Sequence, residues 1–150
     1  MISFIKTKTD AKCCYHSCGA CYWCMNDMIE MGVDIIQPVQ ANAKGNDTEK
    51  LKEEFGKKIV FHGGTNNQGV FHENIHILTI DTLKRIKDLA PGGGYIFSSG
   101  HNIQANMPPE NIIRLFELGK EYGRYPIDID KIESRIDKEE KLLKDFKKNY

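Results

Sequence analysis

Short apolar runs alternate with helix-patterned segments four times along this chain, and that alternation limits the fold more than any other feature. The first run, residues 12–16, leads into a helical stretch at 21–31. Val33, Ile35 and Ile36 make 34–39 a second apolar run, followed by a helix over 47–55. Asn46 or Asp47 suits its N-cap and Gly56 its stop. A third run, 58–62, ends in Gly63-Gly64. Ile77, Ile80, Leu83 and Ile86 then repeat at helical spacing over 72–88. The fourth run, 95–98, precedes a helix opened by Pro108-Pro109 and closed by Gly123. Strand–helix alternation of this kind predicts a parallel sheet covered by helices. Periodicity alone leaves open whether the sheet is open or part of a barrel. Beyond it, 128–150 reads as a charged amphipathic tail, with Ile129, Ile132, Ile136, Leu143 and Phe146 at steps of three, four and seven.

Composition narrows the function classes. The formal net charge is zero over 150 residues, which argues against a broad nucleic-acid or anionic-membrane surface. No apolar run approaches the roughly 18 residues of a spanning helix, and the N-terminus lacks a signal-peptide core. The expected location is the cytoplasm. All five cysteines fall within twelve residues, at 13, 14, 18, 21 and 24. In a reducing compartment such clustering points to metal binding, redox work or burial rather than disulfides.

Polar residues gather just after each strand, where parallel α/β folds place their sites. Cys13-Cys14-Tyr15 reads as the end of a short buried strand. His16 and Cys18 follow it, two apart, so on extended backbone both face one side. Gln37 and Gln40 follow the second strand, as candidate polar contacts. His62, Gly63, Gly64 and Gln68 follow the third, with the glycines expected to let a ligand approach the backbone. Gly100-His101 follows the fourth. Gly92-Gly93-Gly94 precedes a strand and reads as a turn, not a phosphate loop. His72 and His76, four apart, read as surface residues.

The ordered stretches FIKTKTDA (4–11), HSCG (16–19), MGVDIIQPVQ (31–40), LKEEFGKKIVFHGG (51–64), LAPGGGYIFSSGHNIQ (89–104), PPENII (108–113) and YGRYPI (122–127) carry a resemblance. Together they resemble the C-terminal half of the uroporphyrinogen decarboxylase family, which includes the heme-pathway decarboxylase and corrinoid-dependent methyltransferases. The resemblance implies a (β/α)8 barrel, which usually takes about 250 residues. The expectation is therefore a TIM-barrel type α/β fold of only four β/α units: a partial barrel domain over 1–127 and a helical tail over 128–150. Such a half-barrel exposes two sheet edges and half a core. It implies a truncated chain, one half of a split enzyme or a homo-oligomer. The chain departs from the family at Thr65-Asn66, where Ile-Asp is common, and at 71–75, where a Pro and Gly-Thr-Pro segment is common.

The resemblance also implies chemistry. The thiol-methylating branch uses His-x-Cys plus a later Cys as zinc ligands. His16 and Cys18 match, and His101 stands where the later Cys would fall, giving a His16, Cys18 and His101 zinc set. In the decarboxylase branch, the Gly-His tip faces the substrate, so His101 would assist as an acid or position a carboxylate. That branch needs no organic cofactor. Arg85, Arg114, Arg124 and Arg135 sit on helices or the tail, poor substitutes for the substrate arginines of the missing half. A third reading takes Cys18, Cys21 and Cys24, or Cys14, Cys18 and Cys21 at radical S-adenosylmethionine spacing, as iron–sulfur ligands. The expected activity is tetrapyrrole decarboxylation or corrinoid-linked methyl transfer, inactive in this chain alone. The expected partners are a tetrapyrrole or methyl-corrinoid protein and the other half-barrel. The non-catalytic alternative is a remnant or assembly module whose exposed core binds another polypeptide.

Overall fold

The computed structural model describes residues 2–148. After a short helix α1 (Ile2–Lys6), the chain runs β1 (Cys14–His16), a 3-10 turn (Tyr22–Cys24), α2 (Met25–Glu30), β2 (Ile35–Val39), α3 (Thr48–Phe55), β3 (Val60–Gly64), α4 (Ile75–Leu89), β4 (Tyr95–Ser98), α5 (Pro109–Tyr122) and α6 (Ile129–Lys148). The helix boundaries follow local chemistry. The Asp47 side chain accepts the Lys50 N–H to start α3, and Asn74 accepts the His76 N–H to start α4. Pro109 opens α5, where a missing N–H costs nothing, and Gly123 closes it.

The four strands pair in parallel in the order β1-β2-β3-β4. This order resolves what periodicity left open. Right-handed crossovers between successive neighbours put every connecting helix on one side of the sheet, as in a barrel wall, whereas a doubly wound sheet reverses its order. Described alone, the chain is an α/β fold consistent with a partial TIM barrel, plus a C-terminal helix.

Register assigns each strand residue a face. Tyr15, Ile36, Phe61 and Tyr95 lie in one cross-strand row. Ile36 and Phe61 are wholly buried with Met25, Met28, Leu51, Phe55 and Leu89 from the helices. Residues one step along point to the other face: Cys14, Ile35 and Val60 in one row, His16 and Gln37 in the next, and His62 beside Ile96. No described element covers that face, and Ile96 is 40% exposed. Pro38 has no N–H for the ladder, and the β2–β3 register shifts between Ile36 and Val39.

A second cluster joins α4, α5 and α6 through Leu83, Ile86, Leu118, Tyr122, Ile132 and Ile136. A Cβ on Gly119 would stand 2.3 Å from the Phe97 ring, so the glycine lets α5 lie directly on β4. The buried Glu139 ties α6 to α4. It pairs with His76 and, at 2.6 Å, with Arg135. Burial alone would raise its carboxyl, but those two partners outweigh it and hold the group below its ordinary range.

Three expectations change. The first strand is exposed at every residue, because it stands at a sheet edge. The helix expected at 21–31 starts later as a 3-10 turn and then α2. Buried Asn46 sits at its start, its Oδ1 accepting the N–H groups of Cys21 and Tyr22 at 3.0 and 3.2 Å. His76 is half-buried against Glu139 rather than on the surface, and His72 precedes α4 instead of sharing it.

Candidate metal and substrate site

The β1 and β4 tips meet above the sheet. His16 Nε2 lies 3.3 Å from Cys18 Sγ, and the His16 and His101 rings stand edge to face at 5.8 Å. Among the described residues, these three place one ligand atom each within 4.8 Å of the others. All three are exposed, so ions and substrates reach them from solvent.

Gln37 fixes the direction of His16. Its Oε1 lies 2.6 Å from His16 Nδ1. An amide oxygen only accepts, so Nδ1 carries the proton and a neutral ring turns its Nε2 lone pair toward Cys18. Metal-binding histidines are oriented by this kind of outer contact. Gln37, expected as a substrate contact, thus serves the neighbouring imidazole.

His101 is fixed through its backbone. The Gly100 N–H donates to Thr65 Oγ1 at 2.9 Å and Asn67 Oδ1 at 2.7 Å, and Asn67 Nδ2 donates to the His101 carbonyl at 2.8 Å. Gly100 is obligatory here, since a Cβ would fall 2.0 Å from the Thr65 carbonyl oxygen. Thr65 departs from the family pattern, yet its hydroxyl holds this loop. Residues 99–100 also pass close over Gly63, where a Cβ would meet the Ser99 carbonyl at 3.3 Å. The space opened by Gly63 is therefore filled by the chain itself. Gly64, at φ 95°, packs against Leu89 of α4.

Beside the three donors lies a cavity of about 430 Å³. Gln40 and Gln68 are on its wall and joined to each other, Gln40 Nε2 donating to Gln68 Oε1 at 3.1 Å. Gln40 Oε1 also accepts the Gly19 N–H at 2.8 Å, bracing the turn after Cys18. His62 lies on the inner face of β3 outside this wall, and desolvation lowers its pKa, favouring the neutral ring.

The iron–sulfur spacings do not assemble. Cys21 is buried with its thiol toward Asn46, and the Cys24 thiol donates to the Cys21 carbonyl. Only Cys18 joins the His/Cys/His group among the described residues. No arginine lines the cavity. Arg85 instead pairs with Asp88, Arg114 with Glu117 and Arg135 with Glu139.

Sequence reasoning gave Asn46 as a candidate N-cap and Thr65 as a departure from the family pattern, but missed the bracing role of both and of Asn67. Each is a buried polar residue bonded to a backbone group far along the chain. An Asn or Thr beside a strand tip was the available signal. No helix is long and apolar enough to cross a membrane among the described residues.

Comparison with curated proteins gives no significant match. Comparison with family models matches residues 1–122 to uroporphyrinogen decarboxylase (URO-D), a span that takes in all four strands and the His/Cys/His group. The chain belongs to the uroporphyrinogen decarboxylase (URO-D) family.

Proposed function

We propose that the chain supplies the thiol-activating side of a methyl-transfer site, with His16, Cys18 and His101 as ligands of a zinc ion. The convergence of these three donor atoms carries the reading. Two imidazoles and a thiolate suit zinc and leave a coordination position for substrate. Zinc bound there would keep an incoming thiol ionised near neutral pH, which makes its sulfur a nucleophile.

The chain's own groups do the rest. Gln37 keeps the Nδ1 proton in place, so Nε2 is the ligating atom of His16. Thr65 and Asn67 hold Gly100, and so His101, at the mouth of the cavity. The Cys18 Sγ lies 3.3 Å from His16 Nε2, so the two ligand atoms face a common point. The methyl donor is a methyl-corrinoid protein, by analogy with the methyltransferase branch.

The decarboxylase branch finds one support, the Gly100-His101 tip on the cavity wall. A polycarboxylate tetrapyrrole needs cations; this wall contributes no lysine or arginine, so in that branch the other half of the site would supply them. A second set of four β/α units, from a partner half or another copy of this chain, covers the open sheet face and completes the site. Five free thiols suit a reducing compartment such as the cytoplasm.

Metal analysis of the purified protein tests this. One zinc per chain is expected, lost in Cys18→Ser. Folded protein that binds no zinc overturns the reading and leaves the non-catalytic assembly module. Decarboxylation of uroporphyrinogen by the reconstituted enzyme assigns it to the other branch.

A further inference from the structure

Residues 65–67 hold Gly100 and so His101, and they are themselves held from below. Thr65 and Asn67 are buried, and both accept the Gly100 N–H. Asn66 stands between them. Its side-chain Oδ1 accepts the Gly69 N–H at 2.9 Å, and its carbonyl accepts the Val70 N–H at 3.0 Å. Residues 66–70 are therefore a turn closed on itself. The Asn66 N–H takes no part in that closure and donates to Asp81 Oδ2 at 3.1 Å. Asp81 lies on α4, a helix packed against α5 and α6 and contributing nothing to the cavity wall or the donor group.

We infer that Asp81 is a positioning residue for the metal site, anchoring residues 65–67 to α4 and through them fixing where the His101 ring stands. The inference rests on the metal reading above and adds to it a residue remote from the donors. Four hydrogen bonds carry the coupling: Asp81 to the Asn66 N–H, Thr65 and Asn67 to the Gly100 N–H, and Asn67 Nδ2 to the His101 carbonyl. A carboxylate accepting a backbone N–H makes a stronger bond than a neutral acceptor does. Half-buried Asp81 keeps this place at a cost. Burial raises its carboxyl above the ordinary range, against the opposing pull of Arg85 and the Asn66 N–H. Asp88, two turns further along the same helix, supplies the contrast. It accepts the Thr48 hydroxyl and pairs with Arg85, and none of its bonds reaches residues 65–67.

Zinc affinity, read by competition with a chelating dye, tests the inference. Asp81→Ala is expected to weaken binding about tenfold. Asp81→Asn, which keeps an acceptor oxygen, is expected to retain most of the affinity, and Asp88→Ala all of it. The discriminating arm is a double-mutant cycle. If Asp81 acts through His101, then Asp81→Ala costs nothing further in a His101→Ala background. Unchanged affinity in Asp81→Ala, or an equal loss with and without His101, overturns the inference.

A wild-type chain that binds no Cys18-dependent zinc would be a failure of the metal reading instead. In that event hydrogen exchange of the buried Gly100 N–H in metal-free protein decides the anchor alone. Faster exchange in Asp81→Ala than in wild type and Asp88→Ala supports it, and equal rates overturn it.

Discussion

On the helix-covered face of the sheet Ile36 and Phe61 are wholly buried, while on the opposite face Ile96 is 40% exposed and Cys14 and His16 of β1 are exposed. The same strands build both faces, with alternate residues pointing each way. The covered face is apolar and packed by α2, α3 and α4. The open face mixes Ile35, Val60 and Ile96 with His16, Gln37 and His62. One face stores stability and the other holds the candidate site, so mutations on adjacent residues should have unlike consequences.

The largest contrast is expected within β3. Phe61→Ala removes a fully buried ring and should cost about 3–5 kcal/mol, whereas neighbouring His62→Ala should cost under about 1 kcal/mol. Urea denaturation of both variants measures this, and similar losses would break the distinction between the faces.

The next effect concerns α6, which lies beyond the span matched to the family. Glu139→Gln leaves Arg135 and His76 without their buried partner and should destabilise by about 3 kcal/mol. The sign of the pH effect follows from the lowered carboxyl of Glu139. Its contribution is full above the ordinary glutamate value and is lost as pH falls through the lower folded value. Thermal melts of wild type and variant should therefore converge in acid and separate near neutrality.

A smaller effect, confined to the site, is expected from Gln37→Ala. Loss of the contact orienting His16 should weaken zinc binding about 10–100-fold while leaving the fold intact. Competition with a chelating dye measures it. The smallest effect on the isolated chain is expected from Ile96→Lys, within about 1 kcal/mol, because that side chain is already partly in water. If a second set of β/α units covers this face, the same substitution abolishes the assembly by size-exclusion chromatography.

The covered face was legible in the sequence because burial writes itself as periodicity. Ile77, Ile80, Leu83 and Ile86 repeat at helical spacing on α4 and lie in or against the core, and Asp47 and Gly123 mark helix ends. The open face was legible only through chemistry. His16 and Cys18 stood out by their spacing, and His101 by its Gly-His tip. The supports were not legible, since Asn67 and Thr65 act on a loop more than thirty positions later, at Gly100. Asn46 likewise binds Gly19 and Cys21 across more than twenty positions. No local pattern encodes such bonds; the sheet order creates them. The exposure of β1 escaped for the same reason, because an apolar run does not reveal that its strand stands at an edge.

X-ray absorption at the zinc edge of the loaded protein tests the central claim most directly, that the open face holds a His/Cys/His metal site. The account predicts one sulfur at about 2.3 Å and two imidazole nitrogens at about 2.0–2.1 Å, with the sulfur lost in Cys18→Ser. A shell of several sulfurs, or one unchanged by Cys18→Ser, would contradict it.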